Sequence, residues 1–343
     1  MNKSINPNLN KFLKKNKAYK AKEFADKIIS GDRNFLSRAI TILESTKPSD
    51  IKLASEIIHQ CLPYSGKSRR IGITGVPGVG KSTFIDIFGK HLIDKGCKIA
   101  ILAIDPSSTI SGGSILGDKT RMESLSGEKN AFIRPSPTSG NLGGVASKTR
   151  ESIVLCEAAG FDTIIIETVG VGQSEISVSS MVDVFIMLLV SGTGDDLQGI
   201  KRGIMEMLDI LVFTKDDGAN KNPTLIAKKQ FEIAIKMFPT KKSLWIPEVL
   251  SVSAIENNGI NDVLTILNKY FAFIKENDFF NNNRKNQSKQ WFHDQISCLL
   301  KTKFYSSENI KTELQTIENK IVEKKLSPIS AAYKLIEKYF EKT

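Results

Sequence analysis

The sequence has few side chains suited to binding transition metals or to forming disulfides. Its 343 residues include three histidines and four cysteines, and no two cysteines form a CxxC pair. Ligands this sparse and widely separated argue against a structural zinc site, a disulfide framework and a His-based metalloenzyme. Unpaired cysteines are typical of a reducing compartment, so we expect a cytoplasmic protein.

Long hydrophobic runs are also lacking. The longest, Val184 to Val190, is far shorter than the ~20 apolar residues of a membrane-spanning helix. The Lys-rich start has neither the apolar core of a secretory signal nor the Arg and Ser content of a transit peptide. The sequence therefore predicts no membrane segment, and we interpret its start as a solvated terminus.

Arginine is scarce for a chain of this charge. The formal net charge is +11, yet only 9 of the 48 basic residues are Arg and 39 are Lys. Contacts to nucleic-acid phosphates and bases favour Arg, whose guanidinium fork binds two acceptors at once. Because lysine is abundant throughout the chain, we attribute the charge to general composition and predict no nucleic-acid partner.

Apolar periodicity divides the chain into three parts. Residues 1–62 have helical spacing and predict a helical N-terminal extension. In residues 63–278, short and almost continuously apolar runs alternate with helical segments, which is typical of parallel strands buried on both faces. The runs that predict strands are Ile71–Thr74, Ile99–Asp105, Thr163–Glu167, Val184–Val190, Ile210–Phe213 and Val249–Val252.

The third part, residues 279–343, begins with an Asn-rich stretch over 279–289 whose composition predicts a linker. Helical apolar spacing follows, and the amphipathic segment Pro328–Tyr339 predicts core or dimer packing. The pattern as a whole predicts an α/β fold. We expect a mostly parallel sheet with helices on both faces, a helical prefix and a helical C-terminal arm.

The strongest motif is a phosphate-binding loop between the predicted strand Ile71–Thr74 and a helical run. It fits G-x-x-x-x-G-K-[ST] in the strand–loop–helix context of a P-loop nucleoside triphosphatase. Glycines let backbone N–H groups wrap a phosphate, Lys81 can neutralise the β and γ oxygens, and the Ser82 hydroxyl is placed to bind Mg²⁺. The predicted nucleotide contacts are Gly75, Val76, Pro77, Gly78, Val79, Gly80, Lys81, Ser82 and Thr83.

A second motif indicates that the base is guanine. Thr214, Lys215 and Asp217 form a T/N-K-x-D pattern directly after an apolar strand. The Asp of this pattern accepts two hydrogen bonds that adenine does not offer, while the Lys stem packs over the base. The pair Ser253-Ala254 follows the next strand and matches the loop that offers a backbone N–H to guanine O6.

Acidic residues at strand ends suggest a magnesium site with oxygen ligands. Asp105 and Glu167 each end a predicted strand, and Gly170 follows Glu167 in the layout of a metal-linked switch loop. Asp118 is a third candidate. Together with Ser82, these acids predict an oxygen-only Mg²⁺ shell.

These motifs resemble those of one family, the MeaB/ArgK GTPases, which escort adenosylcobalamin-dependent methylmalonyl-CoA mutase and were formerly called LAO/AO transport system kinases. The resemblance covers about residues 50 to 265. It rests on GITGVPGVGKST (72–83), IDPSS (104–108), SGGSILGDKTRM (111–122), PSPTSGNLGGVASKTRE (135–151), ETVGVGQSE (167–175) and GDDLQGIKRGIMEMLDI (194–210).

The resemblance implies a homodimer that binds GTP/GDP and Mg²⁺, gates adenosylcobalamin loading, and protects or reactivates a cobalamin-dependent acyl-CoA mutase. The residues 194–202 would form an additional switch. Thr214 replaces the Asn usual in this family. This leaves the affinity for the base open, but it does not change the prediction that the base is guanine. The implied metal ligands are Ser82, Asp105, Asp118 and Glu167, and the candidate catalytic residues are Lys81, Glu167, Gln173 and Lys201.

Two other classes stay open at this point. A metabolic or transport-coupled kinase would use the same loop, but such enzymes usually bind ATP and lack the motif at 214–217. A membrane-targeting ATPase of related fold would need an amphipathic membrane tail, whereas Pro328–Tyr339 has mixed charge. We therefore expect a slow GTPase whose output is a change of conformation.

Overall fold

In the described residues, three α-helices precede the sheet and confirm the predicted helical N-terminal part. Their apolar stripes are buried against one another and against the helix Leu142–Ala158. The second helix begins where the Asp32 carboxylate accepts hydrogen bonds from the first free N–H groups. The helices are α1 (Ala21–Ile29), α2 (Arg33–Glu44) and α3 (Pro48–Cys61). The computed structural model describes residues 20–105, 122–137, 142–168, 170, 174–192 and 202–341.

Within these described ranges, seven parallel strands form one sheet, which confirms the predicted α/β fold. The strands are β1 (Arg69–Gly75), β2 (Ile99–Asp105), β3 (Ala131–Pro137), β4 (Thr163–Thr168), β5 (Val184–Val190), β6 (Ile210–Thr214) and β7 (Glu248–Ser251). Their order in the sheet is β3-β2-β4-β1-β5-β6-β7. Strand β3 is missing from the sequence prediction because Pro135 and Pro137 interrupt it, and proline is accepted only at an edge such as this one.

Helices cover both faces of the sheet, as the continuous apolar runs predict. Along β5, Ile186 and Leu188 belong to one buried cluster, whereas Met187 and Leu189 belong to another. The first cluster includes α4 (Lys81–Asp94) and α10 (Ile260–Glu276), and the second includes α8 (Arg202–Met207) and α9 (Lys221–Ile235). The described residues of this part also form the helices α5 (Glu123–Ser126), α6 (Leu142–Ala158) and α7 (Ser174–Ser179).

The order of the strands places a crevice at the end of β1. Strand β1 lies between β4 and β5, and the chain leaves it for β2 on one side before returning to β5 on the other. Open parallel sheets bind ligands at such a reversal, beyond the carboxyl ends of the strands. The phosphate loop, the end of β4 and the end of β6 all reach this edge.

The C-terminal part is helical, as predicted, and the chain divides into two compact units, Met1–Phe280 and Asn281–Thr343. The predicted linker at 279–289 is wrong, because those residues form the start of helix α11 (Phe279–Ser306). Asn and Lys cost a helix only a few tenths of a kcal/mol each, so polar composition does not prevent helix formation. The unit continues with α12 (Glu308–Val322) and α13 (Pro328–Glu341). No helix in the described part of the chain is long and apolar enough to cross a membrane.

A buried carboxylate connects α6 to the start of β1. Glu157 accepts hydrogen bonds from the Gly66 N–H at 2.6 Å, the Ser68 hydroxyl at 2.5 Å, and Nε and Nη2 of Arg70 at 2.9 and 3.0 Å. Burial alone would raise the pKa of Glu157, but the Arg70 guanidinium and these hydrogen bonds lower it below its usual range. The ionised carboxylate therefore stabilises the fold at neutral pH.

We expect Glu157→Gln to lower the free energy of unfolding by about 2–4 kcal/mol at pH 7, because it leaves the half-buried Arg70 without its counter-charge. Because the folded-state pKa is depressed, this stabilisation is present above the unfolded pKa and lost as the pH falls through the folded one. Urea unfolding at several pH values checks both points. The matched change on the exposed surface of α3, Glu56→Gln, should shift stability by less than about 0.5 kcal/mol. Equal stability of the two variants at pH 7 would contradict the assignment.

Candidate functional site

The phosphate loop connects β1 to α4 in a conformation that requires glycine. Gly78 and Gly80 have φ values of +83° and +94°, in the left-handed region. Gly75 has φ +153°, and a Cβ there would lie 2.6 Å from the carbonyl oxygen of Leu188 in β5. The loop therefore passes directly against the neighbouring strand, with Val79 buried beneath it and Val76, Pro77 and Gly78 exposed at its tip.

Lys81 holds the first carbonyl groups of this loop. Its Nζ donates to the Gly75 carbonyl oxygen at 2.6 Å and to that of Val76 at 3.3 Å. Burial lowers the pKa of the Lys81 ammonium, while the carboxylates of Glu167 and Glu175 act in the raising direction. In a trans peptide, the carbonyl and the next N–H point in opposite directions. Binding of the Gly75 carbonyl therefore directs the Val76 N–H away from Lys81, as a phosphate cradle requires.

Two residues at the end of β6 hold the rest of the loop. The buried Thr214 hydroxyl lies 2.6 Å from the Val79 carbonyl oxygen and 3.0 Å from that of Leu189. Lys215, with φ +58°, places its Nζ 2.9 Å from the Gly78 carbonyl oxygen. Thr214, the first residue of the predicted base-reading motif, thus supports the phosphate loop, and the side chain of Lys215, the second residue, lies along the loop.

The predicted base-reading residues lie together beside this loop. Ser253 is buried, and its hydroxyl donates to Asp217 Oδ2 at 2.7 Å. The Ser253 hydroxyl also accepts from the Glu256 N–H at 3.0 Å, which fixes its direction. Ala254 follows in the same turn and is partly exposed. The turn after β7 therefore holds the Asp217 carboxylate at the carboxyl edge of the sheet.

Ser82 and Glu167 lie side by side where a magnesium ion would contact phosphate. The Ser82 hydroxyl is 3.4 Å from Glu167 Oε1, and Glu167 is 8% exposed at the end of β4. Asp105 ends the adjacent strand β2, one position beyond the pair Ile104–Thr168. A hydroxyl and carboxylates are the hard oxygen donors that Mg²⁺ takes with only a few protein ligands, so these residues fit the ion. The described residues contain no cluster of three His, Cys, Asp or Glu that could hold a metal without the nucleotide.

Several predicted site residues lie outside the described part of the chain. They are Asp118, Gln173 and Lys201, and of Asp105 only the backbone position is described. Thr83 is described and lies exposed in the first turn of α4, beside Ser82. Among the described residues, those that lie together in the site are the phosphate loop, Glu167 and the predicted base-reading residues.

Gly170 and Glu175, which follow β4 in the chain, lie close to the phosphate loop. A Cβ on Gly170 would lie 1.9 Å from the Gly75 carbonyl oxygen, so this contact requires glycine. Glu175, in α7, is buried beneath the loop beside Thr74. The sequence alone does not predict a role for Glu175, because an acid in the first turn of a helix is ordinarily solvated and interacts favourably with the helix dipole.

Comparison with known proteins identifies the family of this chain. The sequence profile of the family described as "Methylmalonyl Co-A mutase-associated GTPase MeaB" matches residues 36–309. A probable GTPase of Mycobacterium tuberculosis is 44% identical over 313 residues, which covers 91% of this chain and 93% of the relative. The GTPase ArgK of Escherichia coli is 44% identical over 279 residues, covering 81% and 84%.

A mammalian relative and a solved structure extend the comparison. The mitochondrial methylmalonic aciduria type A homolog of Mus musculus is 40% identical over 334 residues, covering 93% of this chain and 80% of the relative. The crystal structure of an LAO/AO transport system kinase is 34% identical, with a TM-score of 0.73 and coverage of 94% of this chain and 98% of that one. The chain therefore belongs to the MeaB family of methylmalonyl-CoA mutase-associated GTPases.

Proposed function

We propose that this GTPase is a conformational switch that gates adenosylcobalamin loading and protects or reactivates a cobalamin-dependent acyl-CoA mutase of the methylmalonyl-CoA type. The observation that carries the proposal is the connection between the two halves of the site. Thr214 and Lys215, in the base-reading motif, bind the carbonyl groups of the phosphate loop. Recognition of the base and recognition of the phosphates are thus structurally connected. Gly170, which follows the proposed Mg²⁺ ligand Glu167, lies against the Gly75 carbonyl of the same loop, and we assign to it the sensing of the γ-phosphate, the group by which GTP and GDP differ.

Each residue of the site has a proposed role. The Lys81 ammonium neutralises the β- and γ-phosphates, and Asp217 accepts from the guanine base. Ser82, Glu167 and Asp105 hold Mg²⁺, with Asp118 as a further ligand. A bound Mg²⁺ would neutralise charge on the phosphate oxygens. The remaining roles are a water-orienting Gln173 and a Lys201 that supplies positive charge once the mutase is bound.

We further propose that the chain forms a homodimer through its C-terminal unit. Ala331 and Leu335 bury one face of α13 inside that unit. The opposite face is apolar and exposed, with Ile329, Tyr333, Ile336 and Phe340 between 47% and 71% accessible. A helix that is apolar on both faces is typical of a second interface. A solution mass of a single chain by light scattering would contradict the dimer.

We also propose that the protein is cytoplasmic. All four cysteines are free, and Cys61 and Cys156 are buried. Burial raises the pKa of both thiols, to about 11 for Cys61, so these thiols are unreactive at neutral pH.

Guanine specificity is tested by Asp217→Ala. We expect this variant to fold but to lose most of its preference for GDP over ADP, which a hydrogen-bonding site of this kind sets at roughly 10⁴-fold or more. Titration with fluorescent GDP and ADP measures the ratio. The neighbouring Asp216→Ala, in the same turn, should keep the preference. Equal affinity of the unaltered protein for GDP and ADP would refute guanine recognition.

The switch function is tested by GTP hydrolysis with and without a partner. We expect slow turnover by the isolated protein, because the transferring phosphate lacks the additional positive charge that we assign to Lys201 until a partner completes the site. Addition of a methylmalonyl-CoA mutase should increase phosphate release, and Lys201→Ala should lose this increase while still binding GTP. Rapid hydrolysis unaffected by the mutase would contradict the switch. Transfer of the γ-phosphate to a small acceptor would instead favour a kinase, the activity for which the solved relative is named.

A further inference from the structure

A buried acid lies directly beneath the phosphate loop and has no role in the site described above. Glu175 is only 1% exposed. Its Oε1 lies 3.4 Å from the Thr74 hydroxyl, at the long limit for a hydrogen bond, and its Oε2 has no hydrogen-bond partner among the residues that the structure describes. A buried carboxylate with an unpaired oxygen destabilises a fold. This arrangement is therefore expected to serve the function of the site.

Glu175 fixes the direction of a hydrogen-bond relay between two strands. The Thr168 hydroxyl donates to the Thr74 hydroxyl at 2.7 Å, and Thr74 points its own proton at Glu175. Each hydroxyl has one proton, and an ionised carboxylate only accepts, so the donor order runs from β4 through β1 to α7. Thr168 follows Glu167 in the chain. The relay therefore holds the residue next to a proposed Mg²⁺ ligand.

The charge of Glu175 also reaches the phosphate site. Its carboxylate acts on the ammonium of Lys81, which is bound to the carbonyl groups of the loop. It stabilises that ammonium in the nucleotide-free site. A nucleoside diphosphate brings several negative charges to the same loop, and a buried carboxylate close by repels them.

We propose that Glu175 is a positioning residue of the GTPase site with two separable effects. Its charge weakens the binding of guanine nucleotides and so promotes release of GDP. Its hydrogen bond to Thr74 holds Thr168, and with it the end of β4, in place for hydrolysis. The inference rests on the phosphate-binding role proposed for Lys81 and does not depend on the mutase partner.

The two effects are separated by two nearly isosteric variants. Glu175→Gln removes the charge but keeps an oxygen that accepts from Thr74, so we expect the Kd for GDP to fall about three- to tenfold. Hydrolysis of bound GTP in a single turnover should stay within about twofold. Thr74→Val keeps the charge and breaks the relay, so single-turnover hydrolysis should slow about tenfold or more. A surface acid on α9, changed as Glu232→Gln, should leave both quantities unaltered.

The direction of the affinity change distinguishes this role from a merely structural one, because loss of a structural residue weakens binding. An unchanged or raised Kd for GDP in folded Glu175→Gln would overturn the charge effect, and unimpaired hydrolysis by Thr74→Val would overturn the relay. Should Glu175→Gln fail to fold, Thr74→Val still decides the relay. Lys81→Ala separates the two proposals: retention of GDP affinity there contradicts the phosphate site itself. If Lys81→Ala loses GDP affinity but Glu175→Gln does not gain it, only the role proposed for Glu175 is contradicted.

Discussion

The arrangement of the site depends on side chains that hold the carbonyl groups of the phosphate loop. Lys81, Thr214 and Lys215 bind the carbonyl oxygens of Gly75, Val79 and Gly78, and Lys81 also reaches that of Val76. Because the N–H after a carbonyl points the opposite way, the bonds to the Gly75 and Val79 carbonyls direct the Val76 and Gly80 N–H groups away from these side chains, as an anion site requires. The bonds to the Val76 and Gly78 carbonyls only fix the shape of the loop, because Pro77 has no N–H and the Val79 N–H is bound to the Val76 carbonyl oxygen at 3.3 Å. The three side chains come from the first turn of α4 and the end of β6, so the loop has its shape only when the sheet is complete.

The same contacts balance charge before a nucleotide binds. The half-buried Lys81 ammonium lies among carbonyl oxygens and near the carboxylates of Glu167 and Glu175. Without a nucleotide, the carbonyl oxygens and the two carboxylates provide the negative charge around Lys81. A bound phosphate supplies such charge as well, and it competes with the two carboxylates for the Lys81 ammonium. Glu167, Gly170 and Glu175 therefore lie where an occupant of the loop changes their electrostatic and steric surroundings. This is the physical basis on which a nucleotide can alter the conformation of a switch protein.

The sequence predicts those features that depend on local pattern. The phosphate loop and the base-reading motif have fixed spacing, and short continuous apolar runs that alternate with helical segments are typical of strands covered on both faces. Strand β3 is not predicted because its two prolines are typical of a loop, and the start of α11 is not predicted because its asparagines are typical of a linker. In both places the local preference is weak, and the tertiary structure determines the conformation. Glu175 could not be predicted, since its importance comes from burial beneath the loop. Likewise, only the structure shows that Thr214, which departs from the usual Asn, donates its proton to a backbone carbonyl.

The most direct test of this account is the GDP affinity of Thr214→Val, compared with Thr214→Asn. Valine has the shape of threonine but offers no proton to the Val79 carbonyl, which would leave a buried acceptor unpaired. Calorimetric titration should show GDP affinity lowered about tenfold for the valine variant, a loss of about 1.4 kcal/mol, and restored in the asparagine variant. Affinity for GDP equal to that of the unaltered protein, in a folded Thr214→Val, would contradict the claim that these side chains build the phosphate loop.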